Sequence, residues 1–107
     1  MVKEFVAQAK ASGIEPSRLT ARPYSGRSPL KTDVVGWYIK RDCSVGVSVE
    51  GDFYLLHAPG GWSARFKGVH LDPSDPPLEL GRGARDGESM PMEKALAIRL
   101  AAGNTWP

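Results

Sequence analysis

The densest run of β-branched and aromatic residues in the chain is VVGWYIKRDCSVGVSVEGDFYLLHAPGGW, residues 34–62. Such residues favour β-strands, and turn signals interrupt the run at short intervals. Asp42-Cys43 and Gly51-Asp52 are the predicted reversal points, because Asp and Gly accept the backbone angles of tight hairpins. The run therefore predicts an antiparallel meander that continues to residue 71. Its first three strands are expected at residues 34–41, 44–50 and 52–58.

Side chains alternate between the two faces of a strand, so the meander sorts into two sets of residues. In the predicted register Tyr38 lies opposite Val47, and Val47 lies opposite Leu56. One face then collects Tyr38, Val45, Val47, Val49, Tyr54 and Leu56. The other face carries Trp37, Ile39, Gly46, Ser48, Phe53, Leu55 and His57. Both faces hold large apolar groups, so each needs a cover. Either the sheet curls into a partly closed barrel, or a helix covers the valine face while loops or a partner meet the other.

Apolar residues at helical spacing predict one helix over residues 2–12 and another over residues 90–102. Prolines and glycines predict a basic loop over residues 14–32, with one helical turn at most near Pro16, and a second loop over residues 72–88. A fourth strand is expected from Trp62 to Leu71, and a short edge strand at residues 78–80. The 107 residues are thus predicted to form a single α+β domain. Its curled antiparallel sheet has four or five strands, flanked by an N-terminal and a C-terminal helix.

Charge and cysteine content restrict the function classes. The formal net charge of +2 is too small to argue for nucleic acid by itself, so only the distribution of charge bears on that class. The lone cysteine, Cys43, rules out an internal disulfide and fits a reducing compartment. No stretch has the apolar length of a signal peptide or a membrane span. We therefore expect a cytoplasmic protein that does not associate with a membrane.

Aromatic and arginine side chains indicate a non-enzymatic module that binds another protein, because Trp and Arg dominate interface energetics. The candidate partner-binding residues are Trp37, Phe53, Trp62, Arg65 and Trp106. Turned inward, the aromatic residues of the sheet would instead form an ordinary core, and the sequence leaves both arrangements open. Self-association into a homodimer also stays open, since a sheet with two apolar faces can pair with itself.

Nucleic-acid binding is the alternative, because the segment between Glu15 and Asp33 contains cations and no acid. The residues that would contact phosphates are Arg18, Arg22, Arg27, Lys31, Lys40 and Arg41. A third hypothesis is nucleotide or phosphate binding at the glycine-rich loop of residues 81–89, before the last helix. Its anion-binding residues would be Arg82, Gly83, Arg85 and Ser89. This loop matches neither the dinucleotide fingerprint nor the P-loop, so a plain surface loop is the simpler interpretation.

The sequence indicates no enzyme, metal site or cofactor. Cys43 and His57 fall near the same end of the meander, but no third group accompanies them. We expect no catalytic residues, no bound metal and no cofactor.

Four stretches carry a resemblance to known sequences. They are VGWYIKRD at residues 35–42, GDFYLLHAPGG at 51–61, DPSDPPLELGRGARDGES at 72–89 and LAAGNTWP at 100–107. Together they resemble short uncharacterised cytosolic proteins of actinobacteria and their phages. The resemblance implies no activity and no site residues.

Overall fold

The computed structural model of the chain describes residues 1–23, 29–58, 68–80 and 90–106. It is an α+β fold in which two helices flank a curled, mostly antiparallel sheet of five strands, as the sequence predicts. The helices are α1 (Val2–Ala11) and α2 (Met92–Ala102), and a 3-10 turn (Gly103–Thr105) follows α2. The strands of the sheet are β1 (Ser17–Pro23), β2 (Leu30–Tyr38), β3 (Val45–Ser48), β4 (Phe53–Leu55) and β5 (His57–Ala58). A separate two-stranded ribbon joins β6 (Glu79–Leu80) to β7 (Met90–Pro91).

The sheet closes on itself through one stretch of chain. Its strand order is β4-β3-β2-β1-β5, so the outermost strands follow each other in sequence with only Leu56 between them. The N–H of Leu56 donates to the Ser44 carbonyl at 2.9 Å, and its carbonyl accepts from the Arg22 N–H at 2.8 Å. Leu56 thus joins the two outermost strands and bonds to the chain beside β3 and to β1, so the sheet must curl into a partly closed barrel. β1 and β5 are the one parallel pair of this sheet.

β1 corrects the prediction of a loop over residues 14–32. Leu19 and Ala21 are fully buried, whereas Arg18 and Arg22 are exposed, so the segment has the alternation of a half-buried strand. Prolines obscured this pattern in the sequence. Pro23 is the last residue of the strand, a position where proline's missing N–H does not interrupt a ladder. No helical turn forms near Pro16.

The register between β2 and β3 also differs from the prediction. Trp37 pairs with Val47, where Tyr38 was expected to do so. The Ile39 N–H donates to the Val45 carbonyl at 3.0 Å, so the loop contains the five residues 40–44 rather than a two-residue turn. We call this segment the 40–44 loop. The shift turns the valines of β3 toward the opposite face of the sheet, because side chains alternate with period two.

The second hairpin shifts as well, with Val47 opposite Phe53 instead of Leu56. The two shifts cancel between β2 and β4, so Trp37 and Phe53 share a face as predicted, and Val45 and Val47 join them. This face packs against the two helices.

The core beneath the helices holds Trp37 and Phe53, the two largest fully buried side chains among the described residues. Trp37 and Phe53 are each 2% exposed. The Phe5 ring of α1 meets the Trp37 ring edge-on, with centroids 5.7 Å apart, and the Trp37 indole N–H donates to the Ile14 carbonyl at 3.1 Å. The alternative in which these residues are core is therefore the correct one, and neither Trp37 nor Phe53 offers a surface to a partner. From the helices, the residues that complete this core are Val2, Val6, Ala9, Met92, Ala95 and Leu96.

A second core fills the inside of the curled sheet. It consists of Leu19, Ala21, Val34, Tyr54, Leu56, Ala58 and Leu71. Thr32 is buried beside it, where its hydroxyl donates to the Leu19 carbonyl at 2.7 Å and accepts from the Val34 N–H at 3.1 Å. The expected barrel and the expected helical cover thus both occur, one on each face of the sheet.

The C-terminal elements follow the prediction in part. The edge strand expected at residues 78–80 forms as β6, and Gly103, with φ of 59°, ends α2. The helix begins at Met92 rather than at residue 90, because Met90 and Pro91 pair with β6. Of the expected fourth strand, residues 62–67 lie outside the described residues, while Val69 forms a parallel bridge to Thr32. No described helix has the length and apolar character to cross a membrane.

Candidate functional site

A cleft of about 210 Å³ lies where the end of β2, the 40–44 loop and the C-terminal segment meet. Its lining includes Tyr38 from β2, Cys43 from the loop, and Arg99 and Trp106 from the C-terminal segment. The other residues that line it are Glu15, Ser17, Gly36, Trp37 and Asn104. We call it the Arg99 cleft.

Arg99 is the most unusual residue of this cleft, because it is a cation that is only 6% exposed. Its Nε donates to the Tyr38 carbonyl at 3.0 Å, and its Nη1 donates to the Gly103 carbonyl at 2.8 Å. No described carboxylate forms an ion pair with it. Burial lowers the pKa of this guanidinium below its ordinary value. A buried charge without a counter-charge is costly, so the residue calls for an explanation.

Sequence reasoning missed Arg99, although a signal was present. The residue lies seven positions after Met92 and three after Leu96, on the same helical face as these buried side chains. A cation on an apolar face is an exception to ordinary patterning and marks a candidate site.

Trp106 links the cleft to the protein surface. The Cζ atom of Arg99 lies 5.0 Å from the centroid of its ring, and the Cζ atom of Arg41 lies 6.0 Å from it. Both distances fall within the range of a cation–π contact. The side chain is half-buried, and its indole Nε1 is buried without a hydrogen-bond partner among the described residues. Of the predicted partner-binding residues, Trp37 and Trp106 both line the cleft, and Trp106 is the one of these two that is not fully buried.

Asn104 holds the C-terminal segment in place. Its Oδ1 accepts from the Glu15 N–H at 2.8 Å, and its Nδ2 donates to the Gly13 carbonyl at 3.0 Å. These bonds join the 3-10 turn to the segment that leads into β1. Both edges of the Arg99 cleft are thereby fixed, and Asn104 is a second site residue that sequence reasoning missed.

Three of the predicted phosphate-contacting residues gather at the 40–44 loop. The Nη2 of Arg22 donates to the Asp42 carbonyl at 2.9 Å, and Arg41 lies over Trp106. Burial acts to raise the pKa of the Asp42 carboxyl, but two hydrogen bonds from Ser44 lower it, with help from Lys40 and Arg22. Asp42 is therefore ionised, and it offsets part of the positive charge around the loop.

The other members of that predicted set are not joined to this group by any described contact. Arg18 lies opposite Val35 and Lys31 lies opposite Thr20 in the β1–β2 ladder, and both side chains are exposed. Arg27 lies outside the described residues. So do Trp62 and Arg65 of the predicted partner surface and all four residues of the predicted anion site, Arg82, Gly83, Arg85 and Ser89.

Cys43 lines the Arg99 cleft in a left-handed backbone conformation, with φ of 60°. Burial raises the pKa of its thiol, and the charge of Asp42 raises it further. A reactive cysteine requires the opposite shift, because the thiolate is the nucleophile. The thiol instead donates weakly to the Arg41 carbonyl, at 3.8 Å.

A separate polar cluster surrounds His70. Its Nδ1 contacts the carboxylate of Asp33, and its Nε2 lies 3.2 Å from Oδ1 of Asp72. The hydrogen bond and charge of Asp33 raise the pKa of His70. Burial acts to raise the pKa of Asp33, but its bonds to His70 and to the Leu71 N–H lower it. The cluster fixes residues 70–72 to β2, and sequence reasoning missed it.

In the described parts of the chain, no group of three or more His, Cys, Asp and Glu side chains has an arrangement that could hold a metal ion.

Comparison with known proteins finds no match among protein-family models, curated proteins or solved structures. The Arg99 cleft must therefore be interpreted from its own chemistry.

Proposed function

We propose that this chain is a non-enzymatic binding module that recognises an acidic segment of a protein partner. The observation that carries the proposal is the position of Trp106, whose ring lines the cleft and is contacted by the guanidinium groups of both Arg41 and Arg99. Trp and Arg are the side chains most enriched among binding hot spots.

The charge around the site supports an acidic ligand. The 40–44 loop carries Lys40 and Arg41, and Arg22 bonds to it from β1. Asp42 is the acidic residue of this loop. This excess of positive charge speeds the encounter with an acidic segment and gives specificity over basic ones. Trp106 adds apolar contact area to the same surface.

An acidic peptide tests the proposal. A twelve-residue peptide of alternating Glu and Gly is titrated into ¹⁵N-labelled protein, and backbone amide shifts are followed. We expect shifts at the 40–44 loop and near Trp106, with several-fold weaker binding in Arg41→Gln. Lys94→Gln is the matched control, because it removes one exposed cation from the first turn of α2 and leaves the cleft intact. Equal weakening by both variants, or no shift near the cleft, would refute the proposal.

Nucleic-acid binding is the second candidate, and the gathering of Arg22, Lys40 and Arg41 at the 40–44 loop, with Arg41 over Trp106, favours it. Cations that contact phosphates, next to an aromatic ring that stacks on a base, are the means by which single strands are held. The test is the same spectrum titrated with a mixed-sequence oligonucleotide, single-stranded and then double-stranded. Shifts at the 40–44 loop that fade between low and moderate salt would support this function, because phosphate contacts release counterions. A spectrum that does not change would exclude it.

A further inference from the structure

Two hydrogen-bond donors in the Arg99 cleft have no acceptor among the described residues. The first is Nη2 of Arg99, since only Nε and Nη1 of this guanidinium are bonded to described residues. The second is the indole Nε1 of Trp106, which is buried. The Cζ atom of Arg99 lies 5.0 Å from the centroid of the Trp106 ring, so the two donor groups are neighbours. A small turn of the half-buried Trp106 side chain would present its covered Nε1 to a ligand at Arg99. Buried donors are nearly always paired in proteins, so the buried Nε1 of Trp106 indicates a missing acceptor.

We propose that the Arg99 cleft binds one carboxylate group of the partner, which accepts hydrogen bonds from Nη2 of Arg99 and Nε1 of Trp106. This inference rests on the proposed function and gives it an anchoring contact. The carboxylate also supplies the counter-charge that no described residue provides to Arg99. The 40–44 loop then contacts the rest of the acidic segment.

The size and charge of the cleft favour a carboxylate over other anions. A volume of about 210 Å³ admits a side chain or a chain terminus but is small for a cofactor, whose pockets begin at about 300 Å³. A carboxylate is planar and carries a single charge on two oxygens, which matches two donors. A phosphate dianion would require more donors, and Glu15 in the cleft lining repels a dianion more strongly than it repels a carboxylate.

Small probes test this contact separately from the partner surface. N-acetylglycine presents a terminal carboxylate, the amide of N-acetylglutamate presents a side-chain carboxylate, and N-acetylglycinamide is the neutral control. The readout is the ¹H–¹⁵N signal of the Trp106 indole, assigned by its loss in Trp106→Phe. The Trp37 indole signal is followed for comparison. Trp37 also lines the cleft, but its N–H is buried and already donates to the Ile14 carbonyl, so we expect its signal to shift less than that of Trp106. We expect at least one carboxylate probe to shift the Trp106 signal, and the neutral amide to leave it unchanged.

Two conservative variants separate the donors. Arg99→Lys keeps the charge but loses the planar group, and we expect carboxylate affinity to fall about tenfold. Trp106→Phe keeps an aromatic ring but loses the N–H, and amide shifts of the 40–44 loop are expected to report affinity about fivefold weaker. Lys94→Gln should bind as the unmodified protein does. If Arg99→Lys does not fold, Trp106→Phe decides, and unchanged affinity in that variant would overturn the proposal.

The remaining outcomes each have a distinct meaning. If the acidic peptide shifts the 40–44 loop while both carboxylate probes leave the Trp106 indole unmoved, the carboxylate contact is wrong and the proposed function stands. If the carboxylates bind and the peptide moves nothing, the proposed function fails alone. Inorganic phosphate that binds more tightly than the carboxylates would overturn the assignment.

Discussion

Replacing Gly36 with alanine tests the register of the sheet more directly than any other single substitution. A Cβ atom at this position would lie 1.9 Å from the Val47 carbonyl oxygen and 2.7 Å from the Ser48 Cα atom. Both obstacles are backbone atoms, so no side-chain rotation relieves the overlap. The backbone of Gly36 does not have positive φ, and the whole cost of Gly36→Ala is therefore steric.

The magnitude follows from the movement that the overlap demands. Carbon and oxygen atoms that are not bonded approach to about 3.3 Å, so β2 and β3 must separate by more than about 1 Å. That movement breaks or weakens the ladder bonds near Trp37 and Val47, at about 1 kcal/mol each, and loosens the packing of two buried side chains. We expect the free energy of unfolding to fall by about 4 kcal/mol. This is a large part of the total free energy of unfolding of a small domain, which is about 5–15 kcal/mol.

Gly13→Ala is the matched control, because Gly13 has the opposite properties. Its φ is 72°, and nothing lies within 4 Å of an added Cβ atom, so the only cost is a left-handed backbone of about 1 kcal/mol. Urea denaturation followed by tryptophan fluorescence gives both values. If Gly36→Ala loses no more stability than Gly13→Ala, β2 and β3 do not approach at Gly36, and the register described above is wrong.

Three further substitutions test individual contacts. Trp37→Phe should lower the free energy of unfolding by about 2 kcal/mol, because the core loses volume and the indole hydrogen bond to Ile14. The affinity for the acidic peptide should stay unchanged. A loss of affinity without a loss of stability would return Trp37 to the partner-binding surface. Thr32→Val should cost about 1–2 kcal/mol in urea denaturation, because the Leu19 carbonyl loses its donor; an equal or higher midpoint would contradict that bond. His70→Gln should remove stability that is present at pH values below the ordinary His pKa of 6.5 and disappears as pH rises through the raised folded pKa. Because the pKa of Asp33 is lowered, the contribution of the ion pair stays intact until pH falls below 3.8. If the difference in unfolding free energy between His70→Gln and the unmodified protein is constant with pH, the ion pair is excluded.

The helices and the fold class could be predicted because they depend on local periodicity. The apolar stripe of α1, with Phe5 and Val6, and the stop at Gly103 are visible without tertiary information. β1 could not be found in this way, because its alternation is short and prolines flank it. Its existence depends on pairing with β2 and β5, and tertiary context outweighs local propensity at such positions.

The candidate site was less accessible to sequence reasoning than the fold. Trp106 was identified from its residue type alone. Arg99 bonds to the Tyr38 carbonyl across 61 positions, and Asn104 bonds to the Glu15 N–H across 89 positions. Contacts between such distant residues leave no spacing pattern in a single sequence. The position of Arg99 on the buried face of α2 was the one available signal.

The 40–44 loop, which made the predicted register wrong, also forms part of the candidate site. A two-residue turn at Asp42-Cys43 would have kept Lys40 and Arg41 within the strand and turned the valines of β3 away from the helices. The longer loop instead turns Val47 toward α1 and α2, and it carries Arg41 out to the ring of Trp106. The bonds that define the loop are local, from the Cys43 N–H to the Lys40 carbonyl and from Ser44 to the Asp42 carboxylate. The residues of the 40–44 loop therefore determine both the core under the helices and the surface beside the Arg99 cleft. Variants that test binding must leave the loop's own hydrogen bonds intact, as Arg41→Gln does.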